Sequence, residues 1–349
     1  MKLKLAFRAY SLPLLKPLRT AHGLMPTKQG VIVQLQTGEG VRGYGEAAPL
    51  PGFNRESAED CLALLQTVGG EIDPETAHEL RSRSDCVYGA IQEAWSEVSR
   101  QLEKLSSARV AGTSNPLSSA PWQVAALLPA GKAALAEVDG RLELGFRVFK
   151  WKVGVADVAD ELVLLDDLLA RLPSGARLRL DANGAWDRRK TERWLERCAD
   201  RPIEHLEQPI APDMREADDF LSGLAQDYPT PLALDESLVG ADDVSRWLGR
   251  GWPGVYVIKP SLLGDAAEVI SRLATARARV VFSSALETGV GARSALRHAL
   301  AWTGERRALG FGVWPLFTDS QFDGPFQAPF LKAADVERLK PEAVWNALT

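Results

Sequence analysis

Cysteine is nearly absent from the chain: three among 349 residues, at positions 61, 86 and 198, an odd number with no Cys-x-x-Cys spacing. That excludes a disulfide framework and a thiolate zinc site, and predicts three reduced, packed thiols. Histidine is almost as scarce, with four residues at 22, 78, 205 and 298. No apolar run is long enough to span a bilayer, and charges and prolines interrupt MKLKLAFRAYSLPLLKPL before it resembles a signal. A cytoplasmic chain without membrane association is expected. There is no basic run either. Lys and Arg number 41 against 46 Asp and Glu, the net charge is −5 and the pI about 5.6, which removes the electrostatic footprint a nucleic-acid partner requires. What is present, 46% hydrophobic and 25% charged residues, is the composition of an ordinary globular chain. It is long enough for a barrel of about 200–250 residues with a second domain beside it.

The informative stretch is LRLDANGAW, residues 178–186. Leu178, Leu180 and Ala182 alternate with Arg179, Asp181 and Asn183, the period of a strand, and Gly184 ends it, so Asp181 stands at a strand's C-terminal end. A single Asp there is ordinarily a turn former or a cap. The same arrangement recurs, however: FRVFKWKVG presents Lys150 and Lys152, IEHLEQP ends on Glu207, PLALDES on Asp235, VYVIKPS on Lys259 and RVVFSSA on Ser284. The steps from Lys152 onward are 29, 26, 28, 24 and 25 residues. Each has room for a strand of about 5–6 residues, a helix of about 11–12 and two short loops. In an open sheet such strand ends lie in a row, whereas in a closed (β/α) barrel they converge on one mouth, where active sites of that fold sit. The spacing predicts a barrel.

Around it, residues 2–10, 30–37 and 41–48 alternate as a three-stranded antiparallel meander turning at Gly38-Glu39-Gly40. Residues 19–28 (RTAHGLMPTK) and 49–55 (PLPGFNR), which carry His22, Met25 and Phe53, read as loops. Helices are predicted over 56–68 and 85–105, the second with Val87, Ile91, Ala94, Trp95, Val98 and Leu102 on one face. Serine-rich residues 106–121 read as a linker, which divides the chain into an α+β domain over 1–115 and a barrel over 116–314, with the proline-rich segment 315–349 returning to the first domain. The first barrel strand is placed at 122–128 and the last at 308–311. Helical stretches lie between them at 132–144, 157–172, 188–198, 217–225, 241–248, 265–276 and 291–301, with Asp187, Asp265 and Thr288 at N-cap positions.

Asp181, Glu207 and Asp235 would set three carboxylates at one mouth, and three unpaired anions at close range raise one another's pKa values. A hard divalent cation, Mg²⁺ or Mn²⁺, relieves that repulsion with oxygen ligands alone; salt bridges to Lys150, Lys152 and Lys259 are the alternative. Lys150 and Lys152, two apart on a strand, share a face, while Trp151 points to the helix layer. Lys152 and Lys259 come from strands four units apart and face one another across the mouth. Burial beside Lys150 and a cation would make Lys152 a proton acceptor, and Lys259 either a second acid/base or a fixed positive charge. Ser283 and Ser284 precede a helix N-terminus, a place for a substrate carboxylate. Gly289-Val290-Gly291 lacks the third glycine of a dinucleotide fingerprint, so a Rossmann reading is set aside. A Schiff-base aldolase with Lys152 or Lys259 as nucleophile, and a ligand-binding barrel without activity, are the competing readings.

The ordered set Lys-x-Lys, Asp-x-Asn, Glu-Gln-Pro, Asp-Glu-Ser and Lys-Pro-Ser resembles the enolase superfamily. LRLDANGAW, GYGEAAPLPGFNRES and FSSALETGVG are similar to stretches of one dehydratase branch of it, so the likeness runs from about residue 20 to about residue 310. The resemblance implies a modified (β/α)7β barrel capped by an α+β domain, with loops 19–28 and 49–55 folded over the mouth. It implies Mg²⁺ on Asp181, Glu207 and Asp235, and Lys152 as the group that moves the proton opposite a cationic Lys259. Lys150, Asn183, Glu236, Ser283 and Ser284 would then bind substrate or orient ligands, Asn183 and Glu236 being equally readable as turn residues. A lysine base working with Mg²⁺ on an enediolate is the established pattern of that superfamily rather than something the spacing yields. The His–Asp base of its mandelate-racemase-like branch is missing, since no His falls at the seventh strand end. The implied reaction is syn dehydration of 2-succinyl-6-hydroxy-2,4-cyclohexadiene-1-carboxylate to 2-succinylbenzoate, a step toward menaquinone or phylloquinone, on a small carboxylate substrate and with no obligate protein partner. N-acylamino acid racemases and dipeptide epimerases share the two lysines. The stretches FSSALETG and PLPGFNR, and the lack of an Asp-x-Asp after strand eight, favour the dehydratase.

Overall fold

Alternation from Leu3 onward builds β1 (Leu3–Thr20), which pairs antiparallel with β2 (Gly23–Gln36), and β2 pairs in turn with β3 (Arg42–Ala47). The computed structural model describes residues 2–20, 23–51, 53–54, 56–107, 120–326 and 328–348. His22 and Arg55, the linker expected at 106–121 for all but its ends, and with it the boundary expected between 115 and 116, lie outside the described residues.

The loop expected at 19–28 is instead the far end of the β1–β2 hairpin, where Leu18 pairs with Met25, Arg19 with Leu24 and Thr20 with Gly23. Turn-forming residue types did not break the ladder. Where the register shifts, between Pro13 and Leu18, the C-terminal segment docks: Leu15 N–H donates to Leu316 O at 2.8 Å and Thr318 N–H to Pro13 O at 3.0 Å. Arg8 lies over the Trp345 ring, 4.5 Å from its centroid, and donates to the carbonyls of Trp345 and Leu348.

Helix α1 (Ala58–Val68), capped by Ser57, leads to β4 (Glu71–Ile72), which completes the sheet order β3-β2-β1-β4, and to α2 (Pro74–Glu79). These last two are too short for periodicity to register. Helix α3 (Asp85–Ser107) buries Val87, Ile91, Ala94 and Val98 as the sequence predicts, with Trp95 and Leu102 only partly covered. Its backbone lies directly on β3: a Cβ at Gly45 would fall 1.9 Å from Ala90 O, so only glycine admits that approach.

The first barrel strand divides. β5 (Trp122–Gln123) pairs with the late β13 (Phe330–Leu331), and β6 (Ala126–Leu128) opens the barrel. Strands β7 (Val148–Lys152), β8 (Arg177–Asp181), β9 (Ile203–Glu207), β10 (Leu232–Leu234), β11 (Val255–Ile258) and β12 (Arg279–Phe282) follow in parallel and in sequential order. Between them run α4 (Ala133–Glu143), α5 (Val158–Arg171), α6 (Arg188–Cys198), α7 (Ala217–Asp227), α8 (Ala241–Gly249), α9 (Ala266–Thr275) and α10 (Gly289–Leu300), with α11 (Ala333–Glu337) and α12 (Pro341–Ala347) behind. The side chains of Asp187, Asp265 and Thr288 accept backbone N–H groups of α6, α9 and α10, as their cap positions predict. The eighth strand is reduced to Leu309 and Gly310, which bridge Val124 on one side and Ser283 on the other and close the (β/α)7β ring. Inside it Ala233, Val255, Val257 and Val281 form a small apolar cluster. Among the described residues no helix is long and apolar enough to cross a membrane.

Sheet and barrel meet over the C-terminal ends of the barrel strands. At that junction Glu46, buried on β3, accepts hydrogen bonds from Thr288 N–H, Thr288 Oγ1 and Gly291 N–H at the start of α10, and from Tyr10 Oη at 2.6 Å. A carboxyl group from the cap thus satisfies the first turn of a barrel helix. The Gly-Val-Gly stretch has its explanation here, since a Cβ at Gly291 would press on Glu46 Oε2 at 3.0 Å and Glu287 Cβ at 2.9 Å. Glu287 is fully buried beside it, and burial, with Glu46 nearby, pushes its acid up to about 7.

Two stability measurements test the junction. Replacing Glu46 with Ala strands Tyr10 Oη and two amides, and should cost about 3 kcal/mol in urea unfolding, with a smaller loss for Glu46→Gln. For Glu287 the native state holds its proton to about pH 7 while the unfolded chain releases it near the ordinary glutamate value, so its contribution is complete at low pH and is lost as pH rises through 7. Glu287→Gln should therefore gain on wild type between pH 5 and pH 8 by on the order of 3 kcal/mol; a pH-independent difference would contradict this assignment.

Candidate active site

The barrel's register puts the predicted polar residues at one level. Lys152 lies opposite Asp181, and Asp181 opposite Glu207, while Asp235, Lys259 and Ser283 each follow the last residue of their strands, β10, β11 and β12. Inward parity carries Lys150 and Lys152 to the same face, and Trp151 goes the other way, to an edge-on contact with Trp194 of α6 with ring centroids 6.4 Å apart. β7 and β11 are four strands apart in a ring of eight, so Lys152 and Lys259 stand on opposite sides of the mouth.

The carboxylates are bound to lysines. Lys150 Nζ reaches Glu207 Oε1 at 2.7 Å and Asp181 Oδ2 at 2.9 Å, and Lys259 Nζ donates to Asp235 Oδ1. Burial would lower the pKa of Lys150, but Asp181, Glu207 and Asp235 outweigh it and raise it above that of an ordinary lysine. Glu207 moves in the opposite sense: burial opposes its ionisation, and Lys150 overrides it and holds the acid well below the usual range. The structure thus displays the ion pairs that the sequence left as the alternative to a metal. Asp181, Glu207 and Asp235 supply the oxygen-only donor set of a hard cation from three adjacent strands. As they stand, among the described residues, no group of three or more acids, histidines and cysteines is gathered closely enough to hold one.

Asn183 Nδ2 donates to Glu236 Oε1 at 3.0 Å, joining the residue two positions past Asp181 to the one next to Asp235. Asn183 Oδ1 and Glu236 Oε2 are buried without a hydrogen-bond partner, and burial, then Asp181, raises the Glu236 acid. Both atoms have hydrogen-bonding capacity left over. Ser283 Oγ donates to Gly310 O at 3.3 Å, and Ser284 Oγ to Glu287 Oε2 at 2.9 Å, so both hydroxyls face the barrel wall and the α10 loop. The place expected for a substrate carboxylate at the α10 N-terminus is taken by Glu46, whose carboxyl already accepts the Thr288 and Gly291 amides.

Three further residues belong to the site. Gln208 braces its floor: Oε1 accepts Asp235 N–H at 2.9 Å and Ser237 N–H at 3.1 Å, and Nε2 donates to Ile210 O and Ser237 Oγ. His205, set aside in the sequence, lies fully buried beneath Glu207 with Nε2 3.8 Å from Glu207 Oε2, too far for a hydrogen bond, and burial lowers its pKa. The two-residue step from His205 to Glu207 was the available signal, the same that joined Lys150 to Lys152. Phe53, from the loop expected at 49–55, places its ring 4.3 Å from Lys259 Nζ. Met25 is buried, in the apolar core that also takes in Tyr10, Leu14 and Ile32.

Comparison with known proteins agrees with this architecture. The family described as "Enolase C-terminal domain-like" matches residues 133–329, and "MenC, N-terminal domain" matches residues 2–88. The o-succinylbenzoate synthase of Thermosynechococcus vestitus is 41% identical over 312 residues, covering 88% of this chain and 91% of its own length. That of Yersinia pseudotuberculosis is 30% identical over 307 residues, covering 84% of each chain. The crystal structure of o-succinylbenzoate synthase from Thermosynechococcus elongatus BP-1, complexed with Mg in the active site, aligns with a TM-score of 0.81 at 37% identity over 99% of this chain and 100% of its own. The L-Ala-D/L-Glu epimerase of Bacillus subtilis, with a TM-score of 0.80 at 19% identity, shares the fold. With family matches over the barrel and the N-terminal sheet, and a relative 41% identical along most of its length, the chain belongs to the enolase superfamily and, within it, to the o-succinylbenzoate synthase family.

Proposed function

We propose that this protein is an o-succinylbenzoate synthase, a hydro-lyase that removes water from 2-succinyl-6-hydroxy-2,4-cyclohexadiene-1-carboxylate. The observation that carries the reading is the relative 41% identical over 88% of the chain, together with a mouth in which two lysines face one another across three carboxylates. Lys152 takes the proton α to the substrate carboxylate and returns it to the hydroxyl leaving from the same face, so that C–H and C–O bonds break, water departs and the ring becomes aromatic. Lys259, on the other side, stays protonated and opposes the negative charge that develops as the proton leaves. Lys150 lies between Asp181 and Glu207 and keeps neighbouring acids from repelling one another, while Asn183 and Glu236 orient the strand ends and Ser283 and Ser284 line the far wall. Mg²⁺, held by Asp181, Glu207 and Asp235, would supply positive charge to the substrate carboxylate. Gln208 fixes the Asp235 backbone, and the β-sheet cap keeps bulk water from the mouth.

Metal binding is testable without turnover. Mn²⁺ in place of Mg²⁺ should give a bound-ion EPR signal that Asp181→Ala, Glu207→Ala and Asp235→Ala each abolish, and chelation should stop dehydration until Mg²⁺ or Mn²⁺ is returned. Full activity after exhaustive chelation would sink the assignment.

The two lysines should separate in a second experiment. Lys152→Ala loses general acid/base catalysis, about 10²–10⁴-fold in rate, along with its charge. Lys259→Arg keeps a cation that cannot act as a base and should retain measurable dehydration. With a substrate analogue unable to eliminate, α-deuterium exchange should vanish in Lys152→Ala and persist in Lys259→Arg. The reverse pattern would move the base to the other face.

A further inference from the structure

Lys28, on β2, is fully buried, and among the described residues its ammonium lies within ion-pair range of no carboxylate. It donates instead to two backbone carbonyls, Ala48 O and Pro49 O, each at 2.8 Å. Burying an ammonium this way is expensive, and the group responds with a pKa drawn down to about 8 by desolvation against the pull of Glu46. The carbonyls it holds are unusual in their direction. Along a strand successive carbonyls point to opposite sides, so two consecutive ones converging on a single donor mark a sharp change of course immediately after β3 ends at Ala47.

What leaves from that point is the segment that carries Phe53. It closes on itself, Phe53 and Asn54 N–H both donating to Leu50 O at 3.0 Å and Leu50 N–H to Asn54 Oδ1 at 2.8 Å. Beyond it, Glu56 is tied to the start of α3 by Cys86 N–H at 3.0 Å and by Ser84 Oγ. The turn is therefore suspended between two anchors, Lys28 on the sheet and Glu56 at α3, with the Phe53 ring 4.3 Å from Lys259 Nζ. An apolar side chain of lysine's length would fill the same volume, so what lysine adds is the pair of donors.

We infer that Lys28 is a positioning residue of the mouth: by drawing the Ala48 and Pro49 carbonyls together it sets the angle at which residues 50–54 leave the sheet, and so seats Phe53 against Lys259, where the ring controls how a substrate enters. The inference rests on the reading of Lys259 as part of the active site. Lys28→Met keeps the volume and removes the donors. Hydrogen exchange in its peptides covering residues 50–54 should quicken by roughly tenfold or more while β8 and β11 stay protected, a local pattern that general destabilisation would not produce. In dehydration assays KM should rise severalfold with kcat less affected, Phe53→Ala should do the same, and the double variant should be no worse than either single one. Lys28→Arg, which retains donors, should recover part of the protection. If Lys28→Met does not fold, Lys28→Gln, with a shorter neutral donor, should show the same local loosening in weaker form. Unchanged exchange over 50–54, or KM effects that multiply in the double variant, would overturn the inference. Local loosening in a protein whose wild type dehydrates nothing would uphold the role of Lys28 and overturn the assigned activity.

Discussion

The site depends on a ring that closes through two residues. Leu309 exchanges backbone hydrogen bonds with Gln123 and Ala125 at 2.8 and 2.9 Å, and Gly310 with Phe282 and Ser284 at 2.7 and 3.2 Å. Those four bonds tie the eighth strand to the first on one side and to the seventh on the other. Without them, Lys152, Asp181, Glu207, Asp235 and Lys259 would form a row along the edge of a sheet, each solvated alone. Closure turns the row into a circle, brings the first and last of the five to opposite sides and takes their charges out of bulk water, where each then needs a partner.

Partnering follows from that enclosure. Each acid of the mouth has a lysine against it, Lys150 between Asp181 and Glu207 and Lys259 on Asp235, because unpaired like charges in a poorly solvated ring would raise one another's pKa values. The same logic runs one layer deeper. Arg179, two residues before Asp181 and buried, pairs with Glu204 at 2.8 Å, and although burial opposes it, that contact holds the Glu204 acid at about 2.

A barrel mouth so built is open on one side, and the antiparallel sheet covers it. The cover is attached by polar contacts directed into the barrel's own loose ends: Glu46 occupies the first turn of α10, and Phe53 lies on Lys259. The C-terminal segment packs across a face of that sheet, with Trp345 between Arg8 of β1 and Tyr44 of β3. Cover and barrel are thus joined by directed polar contacts as well as by shared apolar core, in which Leu262 and Ala285 of the barrel cluster with Val31, Val87 and Ile91 of the cover.

The repeated interval between strand-end charges, and the period-2 alternation around each, made the barrel, its seven helices and the inward set Lys150, Lys152, Asp181, Glu207, Asp235 and Lys259 legible, since both are properties of the local chain. Cap positions such as Asp187, Asp265 and Thr288 were legible for the same reason. The hairpin end at 19–28 was not, because ladder pairing between β1 and β2 overrode residues that favour turns, and neither was the division of the first barrel strand, which a partner more than 200 residues away decides at Phe330. Glu46 and Lys28 give no sign in one dimension that they will be buried. A Glu on an alternating strand and a Lys after a Thr read as surface, and only tertiary packing brings a helix N-terminus to the first and two converging carbonyls to the second. By itself the sequence determined which lysines and acids meet at the mouth. The tertiary structure alone decided what holds them, because hydrogen bonds between residues tens to hundreds of positions apart leave no period in the chain.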